Sequence, residues 1–580
     1  MNKKDMFIKE KLQEDKEISK DANQIFENFK EEFKIEHKEK KVIEIDFGKF
    51  LAVAASFVII LFVGIGIYTN KFKGNSSSEP IKTQETETKQ AFKYALKSNS
   101  LEDFDLRFLQ LENDRKNKIY SPLSIKYTLA MLNEGTEGKS KEEILGLIGE
   151  YKSNKYVNSK NMSFANALFV RDTYKQSIKS SFIDNLRDKY NADVVYDSFE
   201  SAKQINTWVS DKTLELIKNI ISDSDIGELN YALVNALAID MEWENKFLNP
   251  INPEALYAHE SYYWQAPTQL LSNEFEGVEN DVSGMGIIAS VNNYDIVGSL
   301  GEENIRKTVG DKFREYLSED PDGTASYYLE GKDIETAVND YLDEYIEQIN
   351  NNYKKVYKNT DFLVYTDENV KAFAKDLKEY NGTTLQYVAI MPEEDLDSYI
   401  NNITAEDVNK IISNLKEIKS ENFKEGVVTQ ISGYIPKFEF DYELNLIEDL
   451  KDMGVTEVFD ESKANLKGIT DDEAYIGKIV HKANIEFTQD GIKASAATLA
   501  GGMGAGSMFD YIYDVPVEKI ELNFNKPYMF IIRDKETGEV WFAGTVYEPL
   551  SLEEEPENQN TNDTIRSYSD FVKDIQVPVS

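Results

Sequence analysis

The sequence predicts an α+β fold that carries one long exposed loop, and two features of the chain lead to this prediction. The first is an unusual run of small residues between His481 and Ser507. The second is a set of sequence blocks that follow one another between about residues 91 and 550. The loop is described first because its pattern is the more informative of the two.

The run begins as a strand, since Ile485 and Phe487 alternate with polar neighbours. From Gly491 to Ser507 most residues are alanine, glycine, serine or threonine, which are too small for a core and too uncharged for an ordinary solvated loop. If this run became a strand, alternate residues would share a face. One face would hold Ile492, Ala494, Ala496, Thr498 and Ala500, and the other Lys493, Ser495, Ala497 and Leu499. The alternation is compatible with a strand, although the run lies in a predicted loop.

Six blocks elsewhere resemble, in order, those of the serpin family. They read SPLSI (Ser121–Ile125), FANALFV (Phe164–Val170), INTWVSDKT (Ile205–Thr213), LVNALAIDMEW (Leu233–Trp243), YIPKFEFDYELNLIEDLKDMGVTEVFD (Tyr434–Asp460) and NFNKPYMFIIRDKETGEVWFAGTVYEP (Asn523–Pro549). The resemblance implies a serpin domain over residues 91–550 with three mostly antiparallel β-sheets, about eight to nine helices and an exposed reactive-centre loop.

The resemblance implies a suicide inhibitor of serine proteases, with cysteine proteases as an alternative target class. A protease cleaves the loop, and the loop then inserts into a sheet as a new strand and drags the protease along. The hinge of this loop matches Gly491, Ile492, Lys493, Ala494, Ser495, Ala496, Ala497 and Thr498. Ser121, Ser124, Asn235 and His481 match the shutter that lets the sheet open, and Trp243 matches the breach where the hinge enters.

The spacing from Gly491 places the scissile bond at Ala505–Gly506, with Met503 and Met508 as alternatives. A small apolar residue at this bond indicates a target protease of the elastase-like or subtilisin-like class. The loop beyond the bond, from Gly506 to Ile520, is roughly ten residues longer than the family pattern has.

Composition excludes several other classes of function. The net charge of −39 argues against nucleic-acid binding, which needs a basic face. The chain has no cysteine and three histidines, so neither a catalytic thiol nor a metal site or cofactor is expected.

Two enzyme motifs are also rejected. A phosphate loop at Gly502–Gly506 would need a helix after it, and a strand-like stretch follows instead. A Ser-His-Asp hydrolase would need His259 or His481 as its base, and His481 matches a structural position of the serpin shutter. We therefore expect no enzyme.

Residues 50–68, FLAVAASFVIILFVGIGIY, form an uncharged run that as a helix would span about 28 Å, enough for a bilayer. A cleaved signal peptide is less consistent with the charged leader of nearly fifty residues before it. More lysines precede the run than follow it, so the positive-inside rule predicts a signal anchor with a cytoplasmic N-terminus and an extracellular body. The lysines are Lys30, Lys34, Lys38, Lys40, Lys41 and Lys49 before the run, and Lys71, Lys73 and Lys82 after it.

The remaining segments complete the predicted organisation. Residues 1–49 form a cytoplasmic leader, either a passive anchor or the binding site of a cytoplasmic partner. Residues 69–90 form a polar stalk, and residues 551–580 form an acidic disordered tail. Residues 255–355 are an insertion absent from the family pattern, with a strand-like patch and two helical stretches, Glu302–Leu317 and Asp333–Tyr353. The composition and the leader favour a bacterial source.

A different class of function stays open beside the inhibitor. A serpin that no longer inhibits would act as a cell-surface binding or transmembrane sensing protein, and its leader and insertion would then carry the function.

Overall fold

The computed structural model describes residues 53–65 and most of residues 101–550. Within the second range it leaves out residues 150, 153–155, 228, 246, 248–273, 276–281, 283, 292–295, 320, 322, 354–361, 445, 488–508, 510 and 512. The leader, the stalk and the tail lie outside the described residues. So do the hinge from Gly491 to Thr498 and all the candidate scissile residues, Met503, Ala505, Gly506 and Met508.

The described chain forms three sheets, as the resemblance implied. The first sheet has six strands in the order β12-β13-β1-β5-β3-β4. These strands are β1 Val53–Ile65, β3 Met162–Arg171, β4 Asp193–Asp197, β5 Tyr231–Met241, β12 Phe438–Tyr442 and β13 Ala474–Phe487. All neighbours in this sheet are antiparallel except β3 and β4.

The second and third sheets are built from the remaining strands. The second has the order β10-β7-β8-β9-β15-β16-β2 and the third the order β14-β11-β6. Their bounds are β2 Lys118–Tyr120, β6 Gly284–Val291, β7 Phe362–Thr366, β8 Val370–Asp376, β9 Leu385–Pro392, β10 Lys416–Glu417, β11 Val428–Pro436, β14 Val517–Asn523, β15 Tyr528–Asp534 and β16 Val540–Val546. The strand-like patch predicted near Gly286 is β6, which pairs with β11.

The described residues form thirteen α-helices, more than the eight to nine expected. They are α1 Asp103–Leu111, α2 Pro122–Asn133, α3 Gly138–Ile148, α4 Ser180–Tyr190, α5 Lys203–Lys212, α6 Asp223–Ile226, α7 Ile296–Leu300, α8 Glu302–Glu319, α9 Ser326–Leu329, α10 Ile334–Tyr353, α11 Leu396–Asn402, α12 Ala405–Ser413 and α13 Leu446–Asp452. Four of them, α7 to α10, lie in the insertion and account for the excess.

The predicted membrane helix is where the structure departs furthest from the sequence-based expectation. Residues 53–65 form a β-strand at the centre of the first sheet instead of a helix. Within the described ranges, no helix has both the length and the apolar character needed to cross a bilayer. The difference has a physical reason: a central strand covered on both faces is as continuously apolar as a membrane span, so the composition of this segment fits either state.

The side chains of β1 pack into two layers on opposite faces of the sheet. Those of Phe57, Ile59, Leu61 and Val63 join the main core, and those of Val58, Ile60 and Phe62 join a smaller core. The smaller core also holds Ile205 and Val209 of α5. These seven side chains, from Phe57 to Val63, are all buried, and burying each of them contributes about 1.5–3 kcal/mol. The strand is therefore an integral part of the sheet.

A separate hydrophobic core belongs to the insertion. Its residues come mainly from one face of α8 and one face of α10, with Val428 at the start of β11 and Val515 just before β14. The insertion is thus packed against the third sheet and against the chain that enters β14.

Candidate functional site

The candidate site is the gap between β5 and β13, because β13 leads directly into the run of small residues. Strand β1 fills this gap and is antiparallel to both neighbours. Its pairing with β13 runs from Val53–Phe487 to Ile65–Ala474, and its pairing with β5 from Val53–Met241 to Val63–Tyr231. This is the position at which the resemblance implies that the cleaved loop inserts. In this structure the N-terminal segment occupies it.

Asn235 and His481 lie in one row across this gap. Ile59 of β1 pairs with Asn235 on one side and with His481 on the other. Directly paired residues of neighbouring strands point to the same face, so both side chains face the main core. Because one strand separates them, their backbones are about 9.6 Å apart. The structure thus places these two predicted shutter residues on the two strands that flank β1.

Asn235 belongs to a chain of buried side-chain hydrogen bonds. Its Nδ2 donates to Oδ1 of Asn166 at 2.8 Å, and Nδ2 of Asn166 donates to the carbonyl of Tyr190 at 3.0 Å. Oδ1 of Asn235 is buried and has no hydrogen-bond partner among the described residues. The sequence analysis did not single out Asn166, although it lies within the FANALFV block.

His481 is held as a neutral ring. Its Nδ1 accepts a hydrogen bond from the backbone N–H of Leu444 at 3.0 Å. Its ring stacks on Phe57 of β1, with 6.4 Å between the ring centroids. Burial lowers the pKa of His481 to about 4, so the ring is uncharged at neutral pH. This arrangement supports a structural role and gives the ring no partner for acid–base catalysis among the described residues.

Ser121 and Ser124 lie at the start of α2, which packs against β5 and β1. Oγ of Ser121 caps the helix by accepting from the N–H of Ser124 at 3.0 Å. Oγ of Ser124 is buried without a hydrogen-bond partner in the part of the chain described. Within that same part, no hydrogen bond joins either serine to Asn235 or His481. The structure therefore brings the four shutter candidates to one layer without linking them directly.

Trp243 lies where β13 ends and the run of small residues begins. Its buried indole packs edge-on against Phe487, Phe247 and Tyr387, with ring centroids 5.5, 5.0 and 6.1 Å away. Phe487 is the last described residue of β13, and Phe438 stacks parallel to it at 4.7 Å. This aromatic cluster fixes the end of β13, after which the run of small residues follows in the sequence. Trp243 was its one member among the predicted site residues.

Two acidic residues, Asp240 and Glu242, precede Trp243 in the chain. Glu242 forms an ion pair with Lys378, whose backbone N–H also donates to the carbonyl of Glu242 at 2.9 Å. Burial and the nearby Glu439 and Asp240 raise the pKa of Glu486. The residue next to Trp243 in the chain, Glu242, thus supplies the carboxylate of an ion pair with Lys378.

The described residues contain no group of three or more histidine, cysteine, aspartate or glutamate side chains able to hold a metal ion. The two strands that border the gap, β5 and β13, instead offer backbone hydrogen bonds to one strand between them, which is β1 in this structure.

Comparison with known proteins identifies the family. A family model described as Serpin (serine protease inhibitor) matches residues 100–254 and 342–549. An uncharacterized serpin-like protein of Methanosarcina acetivorans is 25% identical over 474 residues, covering 78% of this chain and 85% of that protein. Neuroserpin of Mus musculus is 23% identical over 463 residues, covering 75% of this chain and 87% of that protein.

Among solved structures, the native state of the thermophilic serpin tengpin aligns with a TM-score of 0.47 and 20% identity. The alignment covers 80% of this chain and 96% of tengpin. The family model matches well over half of the chain, with residues 255–341 unmatched between its two stretches. The chain belongs to the serpin family.

The low pKa of His481 makes stability depend on pH. Because the folded pKa of about 4 lies below the unfolded value of 6.5, the unfolded chain takes up a proton first as the pH falls. The stability that the neutral ring contributes is complete above about pH 6.5 and is lost towards pH 4. Between pH 7.5 and 4.5, we expect wild type to lose about 2–3 kcal/mol more than His481→Gln in urea unfolding.

The comparison with His481→Gln removes the effect of other groups. Burial and Glu112 raise the pKa of Asp449 to about 7, which acts in the opposite direction but equally in both proteins. Parallel stability curves for wild type and variant across this pH range would show that His481 is not held neutral.

Proposed function

We propose that this protein is a protease inhibitor that traps its target by inserting the cleaved reactive loop between β5 and β13. The observation that carries this proposal is that these two strands already accept a thirteen-residue antiparallel strand between them, β1. Because β13 ends at Phe487, just before the hinge, a strand that continues from it after a turn enters the same gap in the same direction as β1. The family description, serine protease inhibitor, supports the same activity and a non-enzymatic role.

The dimensions of the loop and the gap agree. The segment from Ile492 to Ala505 extends about 45 Å as a strand, and β1 spans about 43 Å. Alanine and serine side chains at Ala494, Ser495, Ala496 and Ala497 enter a sheet with little steric resistance. A protease joined to Ala505 as an acyl-enzyme would be displaced by a similar distance, and catalysis does not tolerate misplacement of even about 1 Å. The small residue before the bond supports an elastase-like or subtilisin-like target.

We also propose that residues 50–68 tether the protein to a cell membrane, with the leader in the cytoplasm and the serpin domain outside. The uncharged run and the lysines on its N-terminal side support this topology. The bilayer-spanning state and the β1 state exclude each other, because one segment cannot be in both places. The tethered form would therefore have an open gap and be able to trap a protease, whereas the form with β1 in the sheet would not.

The occupied gap favours a second candidate function. If β1 stays in the sheet, cleavage of the loop cannot be followed by insertion, and the protein would act as a non-inhibitory binding or sensing protein. The two functions differ in what a protease leaves behind, which is a covalent complex in one and a nicked chain in the other.

The first test of inhibition uses the full chain in liposomes with elastase-like, subtilisin-like, trypsin-like and papain-like proteases. We expect the elastase-like or subtilisin-like enzyme to give a band at the summed mass that survives SDS, and the released peptide to begin at Gly506. Cleavage by every protease without such a band would contradict inhibition and support the second function.

The tether is tested by Ile60→Pro, with Ile60→Ala as the matched control. Proline at Ile60 removes a backbone N–H from the centre of the sheet, where Ile60 pairs with Val480 and Val234, but transmembrane helices tolerate proline. We expect Ile60→Pro to remain in the membrane fraction and to form at least as much covalent complex as wild type. In detergent, where β1 competes for the gap, its yield should exceed that of Ile60→Ala about tenfold.

Either of two results would contradict the tether proposal. One is that the full chain with the native sequence does not co-purify with liposomes. The other is that Ile60→Pro and Ile60→Ala give equal complex yields in detergent.

A further inference from the structure

The insertion contacts the chain on the downstream side of the reactive loop. Residues Phe509, Tyr511, Tyr513 and Val515 all pack against the core formed by α8 and α10. These residues lie between the predicted scissile bond and the start of β14 at Val517. The contact is therefore made by the segment that a docked protease would meet immediately after the bond it cleaves.

The aromatic ring of Phe509 sits among rings of the insertion. Its centroid is 4.8 Å from that of Phe313, 5.4 Å from that of Tyr316 and 5.5 Å from that of Tyr341. Phe313 is itself fully buried and stacks on Tyr341 at 4.0 Å. Aromatic pairs at these separations stabilise the contact beyond the burial of the rings alone. Phe509 is thus anchored to both long helices of the insertion.

A single hydroxyl fastens the next part of the segment. Oη of Tyr345 accepts a hydrogen bond from the backbone N–H of Tyr513 at 2.9 Å and donates to the carbonyl of Tyr511 at 3.2 Å. Further along, Val515 is buried in the same core, and the carbonyl of Pro516 accepts from the N–H of Val428 at 3.0 Å. The segment is therefore held along its length and not only where β14 begins.

This contact accounts for the excess length that the sequence showed beyond the scissile bond. The expected loop ran from Gly506 to Ile520, but the chain is already in contact with the insertion at Phe509 and in β14 at Val517. Between the end of β13 and Phe509 there remain Thr488 to Met508, which is 21 residues. Without the insertion, the stretch before β14 would extend to Pro516.

We infer that the insertion is a clamp that fixes the downstream end of the reactive loop, with Tyr345 and Phe313 as its positioning residues. The clamp limits the bonds that a protease can reach to those before Phe509. It thereby keeps cleavage close to Ala505–Gly506, where the upstream piece has the length of the gap. The link to trapping rests on the proposed function, whereas the clamp itself is a property of the fold.

The test compares the full chain with Tyr345→Phe, which keeps the ring and removes the hydroxyl. A chymotrypsin-like protease, which cleaves after aromatic residues, probes the bonds after Phe509, Tyr511 and Tyr513. Losing two hydrogen bonds at about 1 kcal/mol each should increase local opening, and hence cleavage at these bonds, about tenfold to thirtyfold. Hydrogen exchange at the amide of Tyr513 should accelerate by a similar factor, because its acceptor is gone.

Tyr316→Phe is the matched control. Its ring also packs on Phe509, and its hydroxyl donates to Thr324 at 3.0 Å. Tyr316→Phe should leave cleavage and exchange of residues 509–516 unchanged. Equal rates for wild type and Tyr345→Phe would overturn the clamp, and so would equal acceleration in both variants, which would mean general loosening of the insertion.

The same samples separate the clamp from the inhibitory function. If Tyr345→Phe opens residues 509–516 and neither protein traps any protease, the clamp stands and the inhibitory proposal fails. If wild type traps its protease and Tyr345→Phe shows unchanged cleavage and exchange, inhibition stands and the clamp is wrong. If both hold, Tyr345→Phe should also yield less covalent complex per cleavage event, since more cuts fall beyond Met508.

Discussion

The structure depends on one constraint: β5 and β13 run parallel with room for a single strand between them. Each of the two edges presents backbone N–H and C=O groups that need partners once they are buried. An antiparallel strand satisfies both edges at once, as β1 does from Val53 to Val63. Asn235 and His481, the aromatic cluster around Trp243, and Phe487 at the end of β13 all lie along this gap. Whatever fills the gap determines whether the loop can enter it.

Two segments of this chain have a sequence pattern that suits this strand, and they differ in the size of the side chains that they would place in the sheet. The N-terminal segment fills it with large apolar side chains that pack on both faces of the sheet. The reactive loop offers mainly alanine, serine and glycine, which enter easily and bury less surface. If the loop inserts as proposed, it gains from insertion only when β1 is elsewhere, and the proposed tether would hold the β1 segment in a bilayer. The insertion acts at the other end of the loop, where it holds Phe509 to Val515 in place.

Much of the fold was predictable because the six blocks are long and ordered, whereas the shutter and breach roles inferred from the same resemblance stay predictions. The sequence also indicated both long helices of the insertion, the second of them from the helical spacing of Val338, Tyr341, Tyr345 and Ile349. The nature of residues 53–65 was not predictable, since a two-sided apolar strand and a membrane helix have the same composition. The contact of Tyr345 with Tyr511 and Tyr513 was also out of reach, because it joins residues more than 160 positions apart.

The most direct test of this account locks β1 in the gap and asks whether trapping stops. Val58 pairs with Ala236, and paired residues of neighbouring strands lie within the range that a disulfide bridges. Because the chain has no cysteine of its own, Val58→Cys/Ala236→Cys introduces a single defined bridge. The account predicts that the oxidised protein is cleaved without forming a covalent complex and that reduction restores trapping, while Val58→Cys/Ala232→Cys, out of register, shows no such difference. Equal trapping by the bridged and the reduced protein would contradict it.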